Sequence, residues 1–142
     1  MGASVRAYWN GITEEQLQSQ PGFGNDCKAW GNWMAERKGH PDVLKTMREL
    51  GVDALLVCKT NGMWWFQVSW TKPRELAEAA RRLREMVGAG GPRTKRMLET
   101  YAAYGGCEDV EGEFAQDLHD IERLALYAES QGVQKMTLEV NW

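Results

Sequence analysis

The chain has little with which to cross-link itself, cross a membrane or hold a nucleic acid. Its three cysteines, Cys27, Cys58 and Cys107, are an odd number at wide and unequal intervals. They form no C-x-x-C pair of the kind that serves zinc or thiol redox chemistry. A disulfide framework is therefore not expected, and isolated reduced thiols point to a cytoplasmic protein. No apolar run approaches the roughly 20 residues that span a bilayer, and the opening Met-Gly-Ala-Ser-Val-Arg lacks the apolar core of a secretory signal. Arg6 also stands where the N-myristoylation pattern requires Ser or Thr. A basic excess is missing too: 17 Lys and Arg against 20 Asp and Glu leave a formal charge of −3. Nucleic acids and anionic membranes reward positive charge, so neither is expected as a partner.

Catalytic signatures are equally scarce. There are two histidines, and the chain contains no G-x-S-x-G elbow, no dinucleotide fingerprint and no correctly spaced phosphate loop. His40 precedes Pro41, where a helix-capping role is expected. His119 lies off the apolar stripe of its helix, beside Asp117, Asp120 and Glu122, with no second histidine at ligand spacing. No catalytic residue, metal ligand or cofactor is assigned.

What the chain does have is length, tryptophan and clear helix punctuation. Its 142 residues suffice for one domain, residues 1–142, with a core that needs no staple. Thr13 opens T-E-E-Q, a capping box that starts a short helix ending before Pro21. Asn25 caps a second helix reaching about Lys38, with Cys27, Trp30 and Met34 on its apolar stripe and Trp33 at the edge. Pro41 opens a third, closed by Gly51. Helices then follow from Pro73 to about Val87, from Pro92 to about Tyr104, and from Val110 to about Gln131. Glu78 and Arg82, and Arg81 and Glu85, stand four apart and are expected to pair on the surface.

Strands are expected at both ends and in the middle. Residues 3–9 alternate Val5, Ala7 and Trp9 with Arg6 and Tyr8, and Met136, Leu138, Val140 and Trp142 alternate with polar residues. In between, "DALLVCK" and "WWFQVSW" flank Asn61-Gly62, a pair suited to a type I′ hairpin turn. That hairpin would put Leu55, Val57, Trp64, Phe66, Val68 and Trp70 on a core face, and leave Trp65 on the other. The expected class is α+β. The order predicts a four-stranded, mostly antiparallel sheet of split-βαβ, ferredoxin-like type, with about six helices packed mainly on one face.

Charge and aromatics supply the functional candidates. Residues 72–96 hold eight Lys or Arg against three Glu, whereas residues 108–122 hold seven Asp or Glu and no Lys or Arg. The acidic group Glu108, Asp109, Glu111, Glu113 and Asp117 is a candidate docking patch for a basic protein, unless the two segments face one another. Trp33 and Trp65 are candidate aromatic anchors for such a partner. Arg93, Thr94, Lys95 and Arg96, in the first turn of a helix after "GAGGP", are candidates for binding an anion such as a nucleotide phosphate. Trp142 is a candidate for sealing the sheet or joining a second copy in a homodimer. The leading expectation is a small, acidic, tryptophan-rich protein-binding protein of inhibitor-like or immunity-like character. The alternative is a binder of small molecules or nucleotide phosphates, using the basic turn and an exposed Trp.

Overall fold

The computed structural model describes residues 4–23, 29–36, 39–60, 68–104 and 108–141. In chain order these form β1 (Ser4–Tyr8), α1 (Glu14–Ser19), α2 (Ala29–Ala35), α3 (Pro41–Glu49), a 3-10 turn (Asp53–Leu56), β2 (Lys59–Thr60), α4 (Pro73–Ala89), α5 (Pro92–Ala102), α6 (Val110–Ser130) and β3 (Thr137–Asn141).

The helices begin where local chemistry says they should. Thr13 accepts from the Gln16 N–H at 3.1 Å while the Gln16 side chain accepts from the Thr13 N–H at 3.0 Å, completing the capping box of α1. Pro41, Pro73 and Pro92 sit in the first turns of α3, α4 and α5, where a missing N–H costs nothing and the fixed φ suits a helix. Asp109 caps α6 by accepting from the Gly112 N–H at 3.0 Å. Helices α4 and α6 form the most extensive pairing between elements. They bury Leu76, Ala80, Leu83 and Val87 from one and Leu118, Ile121, Leu124, Ala125 and Ala128 from the other. Each fully buried Leu or Ile adds about 1.5–3 kcal/mol relative to exposure, so this pair anchors the core.

The four-stranded sheet expected from the sequence does not form. Among the described residues the sheet has three strands in the order β1-β3-β2, and β2 contributes two residues. Strands β1 and β3 run antiparallel, from Ser4 opposite Asn141 to Tyr8 opposite Thr137, and β2 joins the other side of β3 in parallel. The strand latest in the sequence is therefore central, which is not the split-βαβ order. The physical reason lies in "DALL". Val52 and Leu55 are both buried, three residues apart, a spacing that suits a 3-10 turn and not an alternating strand. Residues 61–67, with the Asn-Gly pair, Trp64, Trp65 and Phe66, lie outside the described residues. Residues 68–70 belong to no strand, and Val68 is 40% exposed.

Alternation along β1 and β3 gives the sheet two different faces. Val5, Ala7, Leu138 and Val140 point into the core, next to α2 and α6. On the opposite face Arg6, Glu139 and Lys59 stand abreast, one from each strand. Arg6 Nε donates to Glu139 Oε1 at 2.6 Å and Lys59 Nζ to Oε2 at 2.8 Å. The lysine also lies 4.6 Å from the centre of the Tyr8 ring.

The edge of β1 away from β3 is guarded by one side chain. Gln20, just past α1, accepts from the Ala7 N–H at 2.7 Å and donates to the Ala7 carbonyl at 3.3 Å, imitating a neighbouring strand at that position. Gln20→Ala strips both side-chain partners from the backbone of a buried residue and is expected to lower stability by about 1–2 kcal/mol. Gln20→Glu, which keeps the acceptor and loses the donor, is expected to fall between the two in urea denaturation.

Candidate functional site

Several of the sequence's candidate residues turn out to hold the fold together. Trp33 is 3% exposed. It donates through Nε1 to Thr100 Oγ1 at 3.1 Å and meets Tyr101 and Phe114 edge to face. Asp117 is also buried, and accepts from the Tyr101 hydroxyl at 2.5 Å. A signal for this was present, since Asp117 stands three residues after Phe114 and four before Ile121, within the stripe that α6 turns inward. Glu108, Asp109 and Glu111 are exposed and Glu113 is half-buried. Trp65 and Trp142 lie outside the described residues.

The basic and acidic segments meet in part. Arg84 of α4 reaches Glu122 of α6 at 3.0 Å and donates to His119 Nδ1 at 3.2 Å. Arg74 forks onto Glu129 with two bonds of 2.9 and 2.8 Å. The basic first turn of α5 faces α3 instead. Arg96 donates to Asp42 at 2.8 Å and Arg93 lies 3.8 Å from Glu49. That guanidinium beside Asp42 holds its carboxyl below the ordinary carboxylate range, and the carboxylate in turn raises Arg96. Thr94 is buried and donates to the Gly91 carbonyl, while Lys95 is exposed. His40 begins α3 without a side-chain cap bond; its ring lies 2.9 Å from the Tyr104 hydroxyl. Burial, and then the charge of Glu36, raise that phenol above its ordinary value.

A prominent concavity lies elsewhere, between α4 and the 3-10 turn. Its position follows from two local constraints. Thr71 is pinned to Met136 by paired backbone bonds of 2.9 and 2.8 Å, which fixes Trp70 just ahead of α4. On the other wall, Gly51 ends α3 with φ +72°, a left-handed conformation that favours glycine. A Cβ there would also sit 3.3 Å from Arg82 Nη1, so the guanidinium crosses the turn where a side chain is missing.

Between these walls is an open cleft of about 830 Å³. Ala54, Leu56, Val57 and Ala79 give it an apolar floor, Trp70 closes one end, and Asp53, Glu75, Glu78, Arg81, Arg82 and Glu85 form the rim. The rim residues Glu75, Glu78, Arg82 and Glu85 follow spacings of three, four and three, so they share one face of α4. All six rim side chains are exposed. The expected Glu78–Arg82 and Arg81–Glu85 pairs do not form: among the described residues none of the six makes a salt bridge, although Arg74, Arg84, Arg93 and Arg96 all do.

Trp70 is half-buried, with its ring 6.3 Å from that of Tyr8. It also lines a second, shallower cleft of about 630 Å³ with Trp9, Asn10, Gln131 and Lys135. Sequence reasoning assigned Trp70 to the core as the end of a strand over residues 64–70; residues 64–67 lie outside the described residues, and residues 68–70 belong to no strand. The charged stripe of α4 was legible as an exposed face but not as the wall of a cleft, because the opposing wall depends on the 3-10 turn. No histidine or cysteine lines the larger cleft, so its chemistry is that of carboxylates, guanidinium groups and an indole. Among the described residues no cluster of three or more His, Cys, Asp or Glu is placed to hold a metal, and no helix is long and apolar enough to cross a membrane. No family model matches the chain, and neither a curated protein nor a solved structure matches it.

Proposed function

We propose that this protein acts by binding another protein, and that the partner docks in the cleft between α4 and the 3-10 turn. The observation that carries this reading is the set of six rim charges that make no salt bridge among the described residues, beside a half-buried tryptophan. An indole with an exposed edge supplies contact area at little entropic cost, which is why tryptophan is enriched at binding hot spots. Rim charges add selectivity and speed encounter. Four carboxylates against two guanidinium groups favour a partner with basic side chains at the contact. The exposed Glu108 and Glu111 at the start of α6 are a second acidic surface.

The test uses a partner recovered with the full chain from its native cell. Glu75→Lys/Glu78→Lys is expected to weaken its affinity at least tenfold, or about 1.4 kcal/mol, with an unchanged thermal unfolding curve. Glu111→Lys is expected to leave affinity within about twofold, the usual scale for a residue outside the contact. The reverse pattern would move the docking surface to the start of α6.

A further inference from the structure

Resting on that reading, we infer that the cleft takes an extended segment of its partner: a large apolar residue against Trp70, a lysine or arginine beside Glu75 and Glu78, and an acidic residue near Arg81 and Arg82. The dimensions support this. The rim runs along α4 from Glu75 to Glu85, ten residues that rise about 15 Å, the length of four or five residues of extended chain at about 3.3 Å each. The floor is built from small or medium apolar side chains, Ala54, Leu56, Val57 and Ala79, so a main chain can lie close to it while alternate side chains reach the rim.

The sequence of charges supports it further. Starting at Trp70, the rim presents two carboxylates, Glu75 and Glu78, then two guanidinium groups, Arg81 and Arg82, then Glu85. A linear ligand whose charges alternate in the opposite sense can satisfy all of them at once. A compact polycation would meet the arginines, and a phosphate would meet the glutamates. Since the rim side chains are exposed, one side of the bound chain would face water, as suits a peptide with alternating contacts.

The experiment is selection of a random heptapeptide phage library on the full chain, followed by fluorescence polarisation of the enriched peptides. These are expected to share a large apolar residue with Lys or Arg one to three positions away. Binding should fall at least tenfold on Glu75→Lys/Glu78→Lys and remain unchanged on Glu14→Lys/Glu15→Lys of α1. Exchanging the peptide's Lys or Arg for Glu should restore affinity for the Glu75→Lys/Glu78→Lys variant. That rescue separates direct pairing from a disturbed fold. If no peptide is enriched, or the enriched ones bind all variants alike, the inference is overturned. Should the native protein partner still lose affinity on Glu75→Lys/Glu78→Lys, the cleft docks a folded surface and only the extended-segment inference falls. Self-association of the chain that is lost in the same variant, with no peptide enriched, would identify a second copy as the occupant and overturn it as well.

Discussion

Phe114→Ala is expected to remove about 4 kcal/mol of stability, the middle of the range for deleting a fully buried aromatic ring. Phe114 is 0% exposed and stands at the centre of a ring cluster. Its centroid lies 5.6 Å from both Trp30 and Trp33 and 4.9 Å from Tyr101. These rings come from α2, α5 and α6, so the cluster ties three helices together. Helix α2 has seven residues, too few to persist without tertiary support, and its tryptophans provide that support. The loss would consume much of the 5–15 kcal/mol that typically separates a folded domain from its unfolded chain. Urea denaturation should show an early midpoint, and hydrogen exchange should show α2 opening first. Phe114→Leu keeps most of the volume and is expected to cost less than half as much.

The second large effect is expected from Arg6→Ala/Lys59→Ala. Glu139 has 5% of its side chain exposed, against 45% for Arg6 and 28% for Lys59. The three are not equivalent, because the carboxylate bears most of the desolvation while each cation keeps contact with water. Removing both cations leaves the buried charge without its two salt bridges and is expected to cost about 3 kcal/mol, the lower end for a broken buried pair. Glu139→Gln should be milder, about 1–2 kcal/mol, since the released cations can turn to solvent. A double-mutant cycle on denaturation free energies checks both the size and the order. Equal effects for the two variants would show that the row acts through packing rather than charge.

Helices were the legible part of the fold because their signals are local. Three prolines, the Thr13 capping box and the glycine stops act within one turn, and a helix stands in each of the six expected places, although the Asn25 cap and Cys27 of the second lie outside the described residues. The sheet was less legible because its partners are set by distant contacts. "DALLVCK" is apolar enough for either a buried strand or a buried turn, and periodicity over a few residues does not separate them. Trp33 shows the same limit. It stands at the edge of the α2 stripe, and what buries it is the approach of Thr100, Tyr101 and Phe114 from two later helices. The cleft was hidden for a related reason. Each wall is an ordinary surface in its own segment, and only the packing of α4 beside the 3-10 turn places the charged stripe of one opposite the apolar side chains of the other.

The position of β3 sets the order in which the molecule can assemble. Arg6 and Glu139, hydrogen-bonded across the sheet, are 133 positions apart in sequence, and both β1 and β2 rely on β3 for their main-chain partners. During synthesis the helices can condense as they emerge, and Gln20 and α2 can reach β1 early, yet β1 gains its partner strand only once residues 137–141 have been made. Until then the main-chain groups of β1 that face β3 are unmatched, so a pairing this distant in sequence makes the sheet a slow part of folding.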